Sequence, residues 1–130
     1  MIGLDTNVVI RYLTQDDPKQ SKKASQLIEN QLSAKEPGFI TLIALVEIVW
    51  VLESCYDQKK DDILTVLQSL LTTRQLRVER ADIVYLAMKR YSGASCDYSD
   101  ALITVVSEQE NCSQVMTFDK KAITGGMSLL

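Results

Sequence analysis

Apolar positions along the chain alternate between short continuous runs and helical spacings. Residues 1–4 form an apolar run that ends at Asp5, a candidate first strand, and residues 6–13 (TNVVIRYL) read as a short helix. Asp17-Pro18 is a helix start, with Asp at the N-cap and Pro at the first helical position. The polar helix that follows places Ala24, Leu27, Ile28 and Leu32 on one face, and Pro37-Gly38 breaks it. Residues 39–41 give a second strand and residues 42–54 a very apolar helix. Residues 61–71 carry Ile63, Leu64, Leu67, Leu70 and Leu71 spaced by three and four, again a helix. Residues 76–78 are a third strand, residues 81–91 a helix that Ser92-Gly93 ends, and residues 98–109 another helix. Residues 114–118 predict a fourth strand ending in Asp119, and residues 127–130 a short fifth.

Strands alternating with helices predict an α/β fold: a short, mostly parallel sheet of four to five strands with helices on both faces. With no internal repeat, low-complexity tract or linker, residues 1–130 read as a single domain. The longest apolar stretch, residues 43–52, is interrupted by Glu47 and falls short of the roughly 20 residues that span a bilayer, so no membrane partner is expected. Asp5 follows Met1 too closely for an apolar secretory leader, and the unpaired number of cysteines (Cys55, Cys96, Cys112), without a CxxC spacing, fits a reducing compartment; both point to the cytoplasm.

The chain has no histidine. That excludes Ser–His and Cys–His nucleophile pairs, histidine-paired RNA cleavage and His-ligated zinc, and leaves acid–base or metal chemistry to carboxylates, Lys, Tyr or Cys. The net charge of −3 is unusual for a nucleic-acid binder. Acids neutralised by bound cations would reverse that balance, so it excludes little.

Four acids stand out. Asp5 and Asp119 each end a strand, Asp100 begins a helix, and Glu47 lies one to two turns into the helix after the second strand. In an open parallel sheet, ligands bind outside the carboxyl ends of the strands, where the connecting helices also begin. All four acids are therefore expected at one rim. The helical neighbours of Glu47 at three and four residues are all apolar, a costly setting for an unpaired carboxylate. Each acid also has a local reading: Asp5 as an N-cap, Asp119 as a turn residue, Asp100 as a first-turn acid favoured by the helix dipole, and Glu47 on a solvated edge or paired to a base. Clustered carboxylates repel and call for a cation, and hard oxygen ligands select Mg²⁺ or Mn²⁺ over zinc.

LDTNVVIRYL resembles the first motif of PIN domains, LIALVEIVWVL the second, CDYSDALITVV the third and VMTFDKKA the fourth. They run in the family's order across residues 1 to about 122. The resemblance, in particular to VapC-type toxins of toxin–antitoxin pairs, implies a metal-dependent endoribonuclease with RNA as substrate and an antitoxin protein as partner. It implies that Asp5, Asp100 and Asp119 coordinate Mg²⁺ or Mn²⁺, with Glu47 helping directly or through water. Thr6, Asn7, Thr41 and Thr117 are then candidates to orient those ligands, and Arg11, Lys120 and Lys121 to contact substrate phosphate. Asp97 lies three residues before Asp100; a helix starting at Tyr98 makes Asp97 the N-cap and an outer acid of the site, and leaves Asp100 to the metal. The helix over residues 42–52 is apolar around most of its circumference and carries Trp50, which predicts a homodimer.

Three alternatives remain. Asp5-Thr6-Asn7-Val8-Val9 faintly resembles an aspartyl-phosphate phosphohydrolase nucleophile motif, but its second acid is Asn7. A receiver domain requires a phospho-acceptor Asp after the third strand, where the chain has Val78-Glu79-Arg80. A catalytically idle PIN-like RNA-binding module would not need the full set of acids.

Overall fold

The computed structural model describes residues 1–130, whose contacts gather into two compact units, Met1–Glu79 and Arg80–Leu130. The first unit runs β1 (Ile2–Gly3), α1 (Thr6–Thr14), α2 (Pro18–Ser25), a π-helical segment (Gln26–Gln31), β2 (Gly38–Ile40), α3 (Leu42–Cys55), α4 (Lys60–Thr72) and β3 (Leu76–Val78). Its strands pair in parallel in the order β1-β2-β3, with Ile2 opposite Gly38 and Gly38 opposite Leu76. Parallel pairing leaves a helical crossover between successive strands, and α1 and α3 start just past the carboxyl ends of β1 and β2.

The helix starts are chemically marked. Asp17 Oδ1 accepts the Gln20 N–H at 3.0 Å, with Pro18 opening α2 as expected. Thr41 Oγ1 accepts the Ala44 N–H at 3.0 Å at the start of α3. Between the helices and the sheet the core gathers Val9, Ile28, Ile40, Leu45, Ile48, Leu52, Ile63 and Leu67, all essentially inaccessible to water. The helix after Pro18 does not continue as a regular α-helix: Leu32 N–H bonds Leu27 O, five residues back. The wider turn buries Ile28 and Leu32 and leaves Leu27 half-buried. Gly38, expected as a helix breaker, lies in the central strand, where a Cβ would come within 2.7 Å of Leu4 Cδ1 and 2.8 Å of Leu32 Cδ1. The strand therefore needs glycine for close packing as much as for the turn before it.

The second unit runs α5 (Ala81–Ser92), α6 (Tyr98–Gln109), β4 (Met116–Thr117), α7 (Lys120–Ile123) and β5 (Ser128–Leu129). Helices α5 and α6 pack on buried Val84, Ala87, Ala101 and Val105, and the Tyr91 and Tyr98 rings meet edge to face at 5.7 Å and 69°. Strands β4 and β5 pair in parallel through Ser128 N–H to Val115 O at 2.8 Å and Leu130 N–H to Thr117 O at 2.9 Å. All five strands thus form in parallel pairs, as the alternation predicts. They are divided into a three-stranded sheet, β1-β2-β3, and a two-stranded sheet, β4-β5. Helix α7 has no counterpart in the sequence reading, since four residues are too few to show a period. No helix is long and apolar enough to cross a membrane.

Candidate carboxylate metal site

Asp5 and Glu47 belong to the first unit. Asp5, just beyond β1, is the N-cap of α1, and its Oδ1 accepts the Thr6 N–H at 2.8 Å. The Thr6 hydroxyl donates to Glu47 Oε1 at 3.1 Å, so one side chain next to Asp5 ties the start of α1 to α3. Glu47 is exposed, contrary to the buried setting expected from its apolar neighbours. Helix α3 turns Ala44, Leu45, Ile48, Val49 and Leu52 into the core and leaves Glu47 on the opposite side, flanked by Ile43 (76% exposed) and Trp50 (64% exposed). What holds Glu47 is the Thr6 hydroxyl, not desolvation.

Glu79 is an acid the sequence reading did not single out. It directly follows β3, and its Oε1 accepts the Leu42 N–H at 2.8 Å, so it helps Thr41 cap α3 and fixes the helix that carries Glu47. The signal was present, since an acid directly after a strand is the feature that marked Asp5 and Asp119. Among the other expected residues of this unit, Thr41 is occupied as a cap, and Asn7 lines a cleft of about 290 Å³ with Arg11, Gln20, Lys23 and Leu27. Arg11 is already engaged: Nε donates to Gln20 Oε1 at 2.8 Å, and Nη1 to Asp16 Oδ1 at 3.2 Å and to Tyr56 Oη at 3.4 Å.

The second unit holds Asp97, Asp100 and Asp119. Helix α6 starts at Tyr98, which makes Asp97 its N-cap and Asp100 the third helical residue. Asp100 is not free of the cap, because its Oδ2 accepts the Asp97 N–H at 3.3 Å in a capping-box arrangement. Burial pushes the Asp100 carboxyl above its ordinary range; the Asp97 N–H and Lys121 pull the other way, while the charges of Asp97 and Asp119 add to the rise. Asp119 Oδ1 caps α7 through the Lys121 N–H at 2.9 Å, and Thr117 Oγ1 accepts the Asp119 N–H at 3.0 Å, which fixes the backbone of that acid. Lys120 and Lys121 are both exposed at the start of α7.

Neither unit by itself gathers three acidic or thiol side chains closely enough to share one ion. The donor chemistry nevertheless suits Mg²⁺ or Mn²⁺. Each of the four acids spends one carboxylate oxygen on a bond within its own unit, and every donor is a hard oxygen. Mg²⁺ commonly takes only one or two carboxylates and fills its remaining positions with water and substrate phosphate. The mutual repulsion that helps raise Asp100 is relieved by a cation.

Among curated proteins, a VapC ribonuclease of Aquifex aeolicus (strain VF5) is 25% identical over 118 residues, covering 91% of this chain and 87% of that protein. Among solved structures, one of FitAB bound to an IR36 DNA fragment is 18% identical to this chain, covers all of it and 94% of the matched chain, and superposes with a TM-score of 0.42. Residues 2–124 match the sequence model of the PIN domain, a span that takes in Asp5, Glu47, Asp97, Asp100 and Asp119. On that match over nearly its whole length, the chain belongs to the PIN domain family.

Proposed function

We propose that the protein is a divalent-metal-dependent endoribonuclease and the toxin of a toxin–antitoxin pair. The observation that carries the reading is the state of the four motif acids. Each begins or follows a helix start and commits one carboxylate oxygen locally, to Thr6 N–H, Thr6 Oγ1, Asp97 N–H or Lys121 N–H. Similarity to a VapC ribonuclease supports RNA as substrate and an antitoxin as partner; the cytoplasm as the place of action rests on the odd cysteine count.

Asp5, Asp100 and Asp119 would hold Mg²⁺ or Mn²⁺, with Glu47 assisting directly or through water. When bound, such an ion supplies Lewis-acid polarisation of the phosphodiester and lowers the pKa of water. The chain's own groups do the rest. Asp100 would bind the ion as the carboxylate, the form that burial disfavours and Lys121 favours. Thr6 holds Glu47 in one orientation, and Thr117 holds the backbone of Asp119. Exposed Lys120 and Lys121, beside Asp119, are free to meet a phosphate, whereas Arg11 would first have to leave Asp16 and Gln20. Asp97 stays a cap and an outer acid of the site. The exposed Ile43 and Trp50 on α3 support a homodimer.

Incubating the protein and Mg²⁺ with single-stranded RNA and, separately, with p-nitrophenyl phosphate tests the reading. Internal cleavage of RNA with no release of nitrophenol is expected. Hydrolysis of the monoester with intact RNA would instead select the phosphohydrolase alternative, and activity on neither would select an idle binding module.

A further inference from the structure

The geometry points to Thr124 and Arg90 as positioning residues that set how far apart Asp100 and Asp119 stand, acting through the turn Thr124–Gly125–Gly126. The inference rests on the metal-dependent reading above. Three fastenings meet at this turn. The Thr124 hydroxyl donates to Lys121 O at 2.7 Å and accepts the Ser95 N–H at 3.0 Å. Arg90 Nη1 donates to Gly125 O at 2.8 Å, while the same guanidinium is gripped by Glu108 through Nη1–Oε1 at 3.0 Å and Nη2–Oε2 at 2.8 Å. Cys96, buried, packs so tightly on Gly125 that a Cβ there would lie 2.6 Å from its Sγ. Gly126 has a φ of +113°, a conformation that favours glycine, and a Cβ on it would lie 2.6 Å from Arg90 Nη1.

The position of the turn gives these contacts their meaning. Ser95 and Cys96 immediately precede Asp97 and the start of α6, which carries Asp100. The turn itself continues α7, the helix that Asp119 caps. A four-residue helix has almost no stability of its own. Its orientation therefore depends on what holds its two ends: Thr117 fixes the Asp119 backbone at the start, and the turn holds the finish. Thr124 and Arg90 supply the second hold and join it to the segment leading into Asp100. The Arg90–Glu108 pair adds a bidentate brace from the last turn of α6.

The test measures Mn²⁺ binding to the full chain by the electron paramagnetic resonance signal of free Mn²⁺, beside thermal unfolding. It compares wild type, Thr124→Val, Thr124→Ser, Arg90→Lys and Asp119→Asn. Losing an outer partner of a metal ligand typically weakens binding ten- to a hundredfold. Thr124→Val, which loses no direct bond to either acid, is expected to weaken Mn²⁺ binding by up to about tenfold, the low end of that range, with little change in unfolding temperature. Thr124→Ser, which keeps the hydroxyl, should bind as wild type does. Arg90→Lys, which keeps the charge but not the fork, should weaken binding in the same direction. Wild-type affinity in both Thr124→Val and Arg90→Lys, while Asp119→Asn has lost it, overturns the positioning role and leaves the metal reading intact. Wild-type protein that binds no Mn²⁺ overturns the metal reading itself, and the inference with it.

Discussion

Asp100 and Asp97 share one capping box, yet their side chains have different chemistry. Asp97 is exposed at the N-cap, whereas Asp100 is half-buried and feels Asp97, Asp119 and Lys121 around it. Because the folded protein holds the Asp100 proton more tightly than the unfolded chain does, its contribution to stability is present below the ordinary carboxylate pKa and is lost as pH rises through the raised value. Asp100→Asn removes that loss. In chelator, its unfolding temperature should gain on wild type as pH climbs above the ordinary carboxylate pKa of about 4, and the gain should level off once the raised value is passed. A constant difference across that range would mean Asp100 titrates alike in both states. Asp97 should respond as a cap: Asp97→Ala loses about 1 kcal/mol in denaturant unfolding, and Asp97→Asn much less, because Asn also caps well. For RNA cleavage, Asp100→Asn should be near-inactive and Asp97→Asn close to wild type. Equal inactivity in both would place Asp97 among the metal ligands.

Long helices with a strong period were legible in the sequence almost to the residue, since α4, α5 and α6 bury the apolar faces their spacing announces. Three features were not. The π-helical segment Gln26–Gln31 keeps a helical apolar spacing, so only the i→i−5 bond of Leu32 reveals it. Gly38 reads as punctuation beside Pro37, although the crowding by Leu4 and Leu32 that demands it is a long-range contact. Glu47 sits in an apolar run whose inward and outward sides cannot be told apart from period alone, because nearly every neighbour is hydrophobic. Two substitutions test the packing account. Gly38→Ala should destabilise the protein by about 1–3 kcal/mol through overpacking against Leu4 and Leu32, measured by urea unfolding. Tyr98→Phe should be neutral or stabilising by about 1 kcal/mol, because the buried Tyr98 hydroxyl has no hydrogen-bond partner. A clear loss in Tyr98→Phe would reveal a partner for that hydroxyl.

Across the molecule, a net charge of −3 is compatible with the proposed action on a polyanion, since a divalent ion held by the motif acids would offset part of it. Exposed apolar side chains on α3 also bear on assembly: Trp50→Glu should shift sedimentation at tens of micromolar from dimer to monomer, and a monomeric wild type would contradict the homodimer. Motif order was fully legible, and it carried the family assignment that the match over residues 2–124 bears out. How the acids divide, Asp5 and Glu47 with one unit and Asp100 and Asp119 with the other, was not legible, because it depends on contacts rather than spacing. The most direct test of the central claim is cleavage of a single-stranded RNA by wild type and Asp5→Asn, first in EDTA and then with Mg²⁺ in excess. The account predicts no cleavage in EDTA, recovery with Mg²⁺ for wild type only, and a folded but inactive Asp5→Asn; cleavage that persists in EDTA, or in Asp5→Asn, would contradict it.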